Sequence, residues 1–170
     1  MPPHKPCADG PQAPQTECKL KRHTMFSAKT YAARRNMLRT KIGSGIILLP
    51  GNSLSPNNYP NNAYYFRQDS SFRYYFGLNT PSLAGLIDAD TGEEALYGDD
   101  FTVEDIIWTG PQPTLRELGA KVGIAATYPL SELEKRLRKA ISLGRKIHFL
   151  PQRVHLVADL ERALHLFDLL

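Results

Sequence analysis

Long apolar runs are missing from this chain of 170 residues: its longest aliphatic stretch is Ile46–Leu49, closed by Pro50. A helix crossing a bilayer needs roughly 18–20 such residues, and a secretory leader needs an apolar core of roughly 7–15, so neither is expected. Cysteine is scarce as well. Cys7 and Cys18 both fall in a proline-rich opening stretch with no apolar periodicity, where a disulfide would close a loop around no core. Residues 1–24 therefore read as a disordered leader, the thiols as reduced, and the chain as cytoplasmic. Excess charge is lacking too once it is apportioned. The net +4 includes four Lys/Arg and two Asp/Glu in that leader, which leaves seventeen against fifteen over residues 25–170. Such a balance lacks the electrostatic footprint of nucleic-acid binding.

Reactive-site patterns are absent in the same way. His4, His23, His148, His155 and His165 include no pair at the spacing that puts two imidazoles and a carboxylate base on one helical face. No GxSxG elbow occurs, and the glycines of Gly43-Ser44-Gly45 precede a strand-like run rather than opening a helix, so they cradle no phosphate. Asp88, Asp90 and Asp99 have some of the spacing of a calcium loop, but glycine falls at the fifth position and Asp at the twelfth, and a hairpin explains the segment. No catalytic residue and no metal site are expected within the chain.

What is present is local order. Residues 26–42 read as a helix, with Ser27 as its cap, Phe26 and Tyr31 as a hydrophobic staple, Tyr31, Arg34, Leu38 and Ile42 on one face, and Gly43 as its stop. Gly45–Leu49 is a strand buried on both faces, and Ser53–Asn62 a loop rich in Asn and Pro. Leu83–Asp88 and Glu94–Tyr97 flank a hairpin loop with a late glycine. Two short helices follow at Thr102–Ile107 and Thr114–Leu118, the second with a Thr114/Glu117 capping box. Leu130–Leu143 carries the clearest amphipathic stripe, Leu133, Leu137, Ala140 and Ile141, with a Ser131/Glu134 box at its entry. A last strand at Ile147–Leu150 and a helix at Ala158–Leu170 complete the reading. Eight carboxylates between Asp88 and Asp105, and six bases between Lys135 and Lys146, read as solvated faces. A hairpin beside strand–helix–strand alternation gives an α/β domain over residues 25–170, a mixed sheet with helices on its faces.

The densest segment is Asn61–Leu78, NNAYYFRQDSSFRYYFGL, with aromatic blocks on either side of Arg67–Ser71. Residue chemistry alone allows two buried strands joined by a polar turn, with Asp69 capping a following helical turn and Arg67 bonding to carbonyls or a carboxylate. The motif FRQDSSFRYYFGL, with Arg67, Asp69, Phe72 and Gly77 among its positions, resembles the N-terminal domain of Xaa-Pro aminopeptidases in the creatinase/prolidase group. LAGLID at Leu83, EALY at Glu94, DIIWTG at Asp105 with Gly110 at its end, and LRELGAKVGI at Leu115 follow in that family's order.

The resemblance implies the same plan, a three-layer α/β/α sandwich around a mixed sheet. It also implies a C-terminal catalytic domain as partner, which holds two divalent metal ions, manganese most often, through two Asp, one His and two Glu, and which is expected to begin after Leu170. The complete enzyme would release the N-terminal residue that precedes proline from a peptide, while this domain would be inactive alone. Its expected roles are assembly of a homo-oligomer and narrowing of the cleft. Trp108, either packed inside or set at the cleft rim of its own or a neighbouring subunit, and Asn61, where some members carry Asp, are the rim candidates. The N-terminal domain of a prolidase and a standalone creatinase-like binding module remain as alternatives.

Overall fold

The structure, a computed structural model, describes residues 26–150. The leader, Met25, both cysteines and the helix expected at 158–170 lie outside the described residues. Twelve elements follow in order: α1 (Ala28–Ile42), β1 (Ile46–Pro50), β2 (Pro56–Asn57), β3 (Tyr59–Ala63), α2 (Ser70–Phe76), β4 (Ala84–Asp88), β5 (Glu94–Tyr97), α3 (Val103–Thr109), α4 (Leu115–Val122), β6 (Ala126–Tyr128), α5 (Leu130–Ser142) and β7 (Ile147–Phe149). Five strands form one sheet in the order β6-β5-β4-β1-β7. It is mixed as expected: β1 and β5 flank β4 antiparallel, while β7 joins β1 and β6 joins β5 in parallel.

Alternation along β1 shows why its apolar run is continuous. Ile47 and Leu49 face a core built with Tyr31 of α1, Phe72 and Phe76 of α2, and Leu118 and Val122 of α4. Ile46 and Leu48 face the opposite core, made with Leu133, Leu137 and Ala140 of α5. A strand covered by helices on both sides has no polar face to show. The stripe read on α5 is the one that is buried, and the cap and staple read on α1 are present: Ser27 accepts from the Thr30 N–H, and the Phe26 and Tyr31 rings meet edge to face at 6.2 Å.

Three local expectations are corrected. The second aromatic block is a helix, not a strand, because Asp69 Oδ1 accepts the Phe72 N–H at 2.8 Å and Gly77 ends the turn at φ +69°. Phe72 and Phe76, four residues apart, then stack at 5.0 Å on one buried face. Gly85 on β4 makes room for them, since a Cβ there would collide with the Phe76 ring. The supposed loop at 53–62 contains the β2–β3 ladder, turning at Asn58 with φ +73°. The Ser131/Glu134 box at α5 does not form. The helix starts at Leu130 as expected, but with Pro129 at its cap position, and the Leu130 N–H is taken by Asp99 Oδ1 from a distant loop, at 3.1 Å. Strand β6, three residues long, had not been expected at all.

Candidate functional site

Helix α3, which carries Trp108, has no buried residue. Its ends hold it instead. Thr102 and Asp105 form a reciprocal box, with the Thr102 N–H donating to Asp105 Oδ2 at 2.9 Å and the Asp105 N–H donating to Thr102 Oγ1 at 3.2 Å. The Thr102 hydroxyl, which donates to Asp105 Oδ2 at 2.7 Å, and then the Thr102 N–H hold the Asp105 carboxyl below its ordinary range. At the other end the Gly110 N–H donates to the Ile106 carbonyl at 2.8 Å, with Gly110 at φ +76°. A helix fastened only at its termini displays Val103 (76% exposed), Ile107 (74%) and Trp108 (83%) to solvent. Packing of Trp108 in the chain's own core, one of the two expected placements, is thereby excluded. Three large apolar side chains are thus exposed together on one short helix.

The polar knot sits elsewhere and is centred on a residue that drew no role in the sequence reading. Gln68 is buried, and its Oε1 accepts the Asn52 N–H at 2.6 Å and the Asp69 N–H at 2.9 Å, while its Nε2 donates to the Thr80 carbonyl at 2.8 Å. Arg67 contributes through its backbone, its carbonyl accepting from Asn52 Nδ2 at 2.8 Å, while its guanidinium is exposed. Gln68 thus ties the entry of α2 to the chain after β1 and to the loop before β4. Its signal in the sequence was its position, a long amide between two segments that both need turning. Asn61 lies on β3 and Trp108 on α3, so the two rim candidates belong to separate elements. Between β3 and Gln68, Tyr64 and Tyr65 point outward, Tyr65 with 99% of its surface exposed.

The two charge blocks are not independent solvated faces. Arg136 on α5 donates to both oxygens of Glu93, at 2.9 and 2.7 Å, and Arg145 donates to Asp88 at 2.6 and 3.0 Å and to Asp90 at 2.6 and 3.2 Å. Burial pushes the Asp88 carboxyl up, yet the Arg145 bonds and the Thr91 and Asp90 N–H groups together hold it below the ordinary value. The Arg136 fork does the same for Glu93 against a weaker burial effect. Both guanidiniums are raised in turn, chiefly by these carboxylates. Asp88 and Asp90 are therefore an arginine site. Among the described residues no group of three or more His, Cys, Asp or Glu is arranged to hold a metal ion. Likewise, no described helix is long and apolar enough to cross a membrane.

Comparison with known proteins covers most of this architecture. The family described as aminopeptidase P, N-terminal domain, matches residues 31–148. An uncharacterized peptidase of Saccharomyces cerevisiae is 27% identical over 111 residues, which is 65% of this chain and 21% of that protein. Among solved structures, the low-pH form of Escherichia coli aminopeptidase P superposes with a TM-score of 0.69 at 18% identity, over 83% of this chain and 33% of its own. Pseudomonas aeruginosa aminopeptidase PepP gives 0.67 at 22% identity, over 84% and 32%. These structures share the fold, and the chain spans about a third or less of the length of each protein.

Proposed function

Because the chain belongs to the aminopeptidase P N-terminal domain family, we propose that it serves as the non-catalytic N-terminal part of an Xaa-Pro aminopeptidase-like metallopeptidase. In this reading the reaction belongs to a C-terminal domain of the same protein, where two divalent metal ions, manganese in our assignment, would activate water for attack on the bond before proline. The present domain contributes shape. Trp108 and its neighbours on α3 form an apolar wall at the rim of a cleft, in the same subunit or in a neighbouring one of a cytoplasmic homo-oligomer, and Asn61 offers an amide to the free amino end of the peptide. A flat indole suits the ring of a proline-containing peptide, and a narrowed rim admits only a short free terminus. One observation carries the reading: a short, well-capped helix holds three large apolar side chains away from its own core.

The test is an assay of residue release from an Xaa-Pro peptide. The 170-residue chain alone is expected to release nothing with or without manganese, and metal-dependent release by it would overturn the proposal. In the complete protein, Trp108→Ser is expected to lower kcat/KM by about tenfold, as befits one lost buried aromatic contact. Unchanged kinetics there would remove the indole from the cleft.

A further inference from the structure

The outer surface of α1 and α2 is a second place where large side chains meet water, and its charge has one sign. Phe26, Met37 and Tyr74 each leave about half or more of their surface exposed. Arg34 ties the two helices together there. Its guanidinium carbon lies 4.6 Å from the centre of the Phe26 ring and 4.2 Å from that of Tyr74, and it donates to the Tyr74 carbonyl at 2.9 Å. Arg34, Met37 and Lys41 fall at i, i+3 and i+7 of α1, so they share one stripe. Neither helix contains a carboxylate, and Arg34 and Lys41 enter no ion pair among the described residues. The buried Arg35 is spent on Glu94 and adds nothing to this face.

The α3 surface has the opposite sign. Val103, Ile106 and Ile107, at i, i+3 and i+4, form its apolar stripe, and Asp99, Asp100, Glu104 and Asp105 stand exposed on the helix and in the loop before it. No Lys or Arg occurs between Arg73 and Arg116, and these four carboxylates enter no ion pair among the described residues. Asp99, Asp100 and Asp105 accept backbone N–H groups, which leaves their charge in place. We propose that the two surfaces meet between copies: the α3 stripe of one chain docks on the α1–α2 face of a second, and the reverse contact closes a two-fold dimer. An apolar helix bordered by acids and an aromatic face bordered by bases complement each other in polarity and in charge. Each copy carries one of each, so two-fold closure engages both and leaves neither open for further growth. The inference rests on the oligomeric part of the proposed function alone. Trp108 lies about 100° round the helix from Ile107. It therefore stays beside the contact, available to the cleft, and its kinetic test can succeed or fail independently.

The experiment is sedimentation equilibrium of the 170-residue chain. A reversible dimer is expected, weakened about tenfold when salt is raised enough to screen exposed charges. Glu104→Lys and Lys41→Glu each bring like charges together twice in a dimer, and each should weaken it about tenfold. An equimolar mixture of the two variants should recover the parental affinity, because one contact then has both charges exchanged and the other has neither. Lys139→Glu on α5 should leave the dimer unchanged. All three side chains are exposed, so the variants keep the fold, which their thermal melts will verify. A dimer indifferent to both reversals, or variants that fail to complement each other, would overturn the pairing of these faces, and growth beyond the dimer would overturn the two-fold closure. Should the chain stay monomeric while the complete protein shields Met37 from peroxide, the occupant of the α1–α2 face is the catalytic domain, and the proposal falls.

Discussion

A guanidinium with no exposed surface needs an acceptor in each direction its donors point, and Arg35 of α1 has three. Its Nε donates to Glu94 Oε2 at 2.8 Å, one terminal nitrogen to the Tyr75 carbonyl at 3.1 Å, and the other to the Val122 carbonyl at 3.1 Å. A single side chain thus fastens α1 to β5 and to the C-terminal ends of α2 and α4. Arg35→Ala would leave the Glu94 carboxylate and two carbonyls without this partner, and a loss of about 3–5 kcal/mol is expected. Arg35→Lys keeps the charge without the fork and should fall between. Urea unfolding followed by far-ultraviolet circular dichroism will show this as a lower midpoint with an unchanged slope. Acid sensitivity also belongs to single residues. Asp88 and Glu93 have folded pKa values below their ordinary 3.8 and 4.5, so their stabilisation is complete above those values and is lost as pH falls through the folded ones. The melting temperature should stay level from neutral pH to about 5 and then drop. Asp88→Asn should remove much of that drop while costing about 2 kcal/mol at neutral pH, because one charge-assisted partner of Arg145 is gone. A variant as acid-sensitive as the parent would place the effect elsewhere.

Among the elements, α2 shows best how much could be read beforehand. Its aromatic content favoured a strand, and what decides for the helix is punctuation: an Asp at the cap and a Gly in the left-handed conformation at the stop. Asp69→Ala should cost about 1 kcal/mol, the usual value of an N-cap. Gly77→Ala should cost more, about 3 kcal/mol, because φ is +69° and the added Cβ would collide with the Tyr31 ring. Thermal melts of the two variants will rank them, and the reverse order would mean that Tyr31 can move aside. Where period and punctuation agreed, as in β1 and the β4–β5 hairpin, the element was legible from residues alone, and in α5 the period alone was enough. Three residues of β6 are too few to show a period. The start of α5 depends on Asp99, thirty-one positions away, and Arg35 looks in sequence like any helical surface arginine. Such features are set by what tertiary folding brings close. Of the candidate site, Trp108 was singled out as a rim candidate through family resemblance, whereas its exposure needed coordinates.

At the scale of the molecule, Arg136 and Arg145 of the basic block close on Glu93, Asp88 and Asp90 of the acidic one, so part of the domain's charge is spent internally. The α3 helix is the exception in kind, apolar and turned outward. Trp108 is the sole tryptophan, which makes it a reporter of its own surroundings. With 83% of its surface exposed, its emission from the dilute chain should lie at the red end for indole and be readily quenched by acrylamide. Since it packs against little, Trp108→Ser should change folding stability by no more than about 0.5 kcal/mol. Association with a second copy, or joining to a catalytic domain, should move the emission to the blue and protect it from the quencher, as expected when an indole enters an interface. Ile107→Ser, which removes the neighbouring apolar side chain, should weaken that protection without altering the spectrum of the dilute chain. An indole that stays red and quenchable in the complete, assembled protein would mean that α3 faces water there too, and the domain would then have to act through another surface.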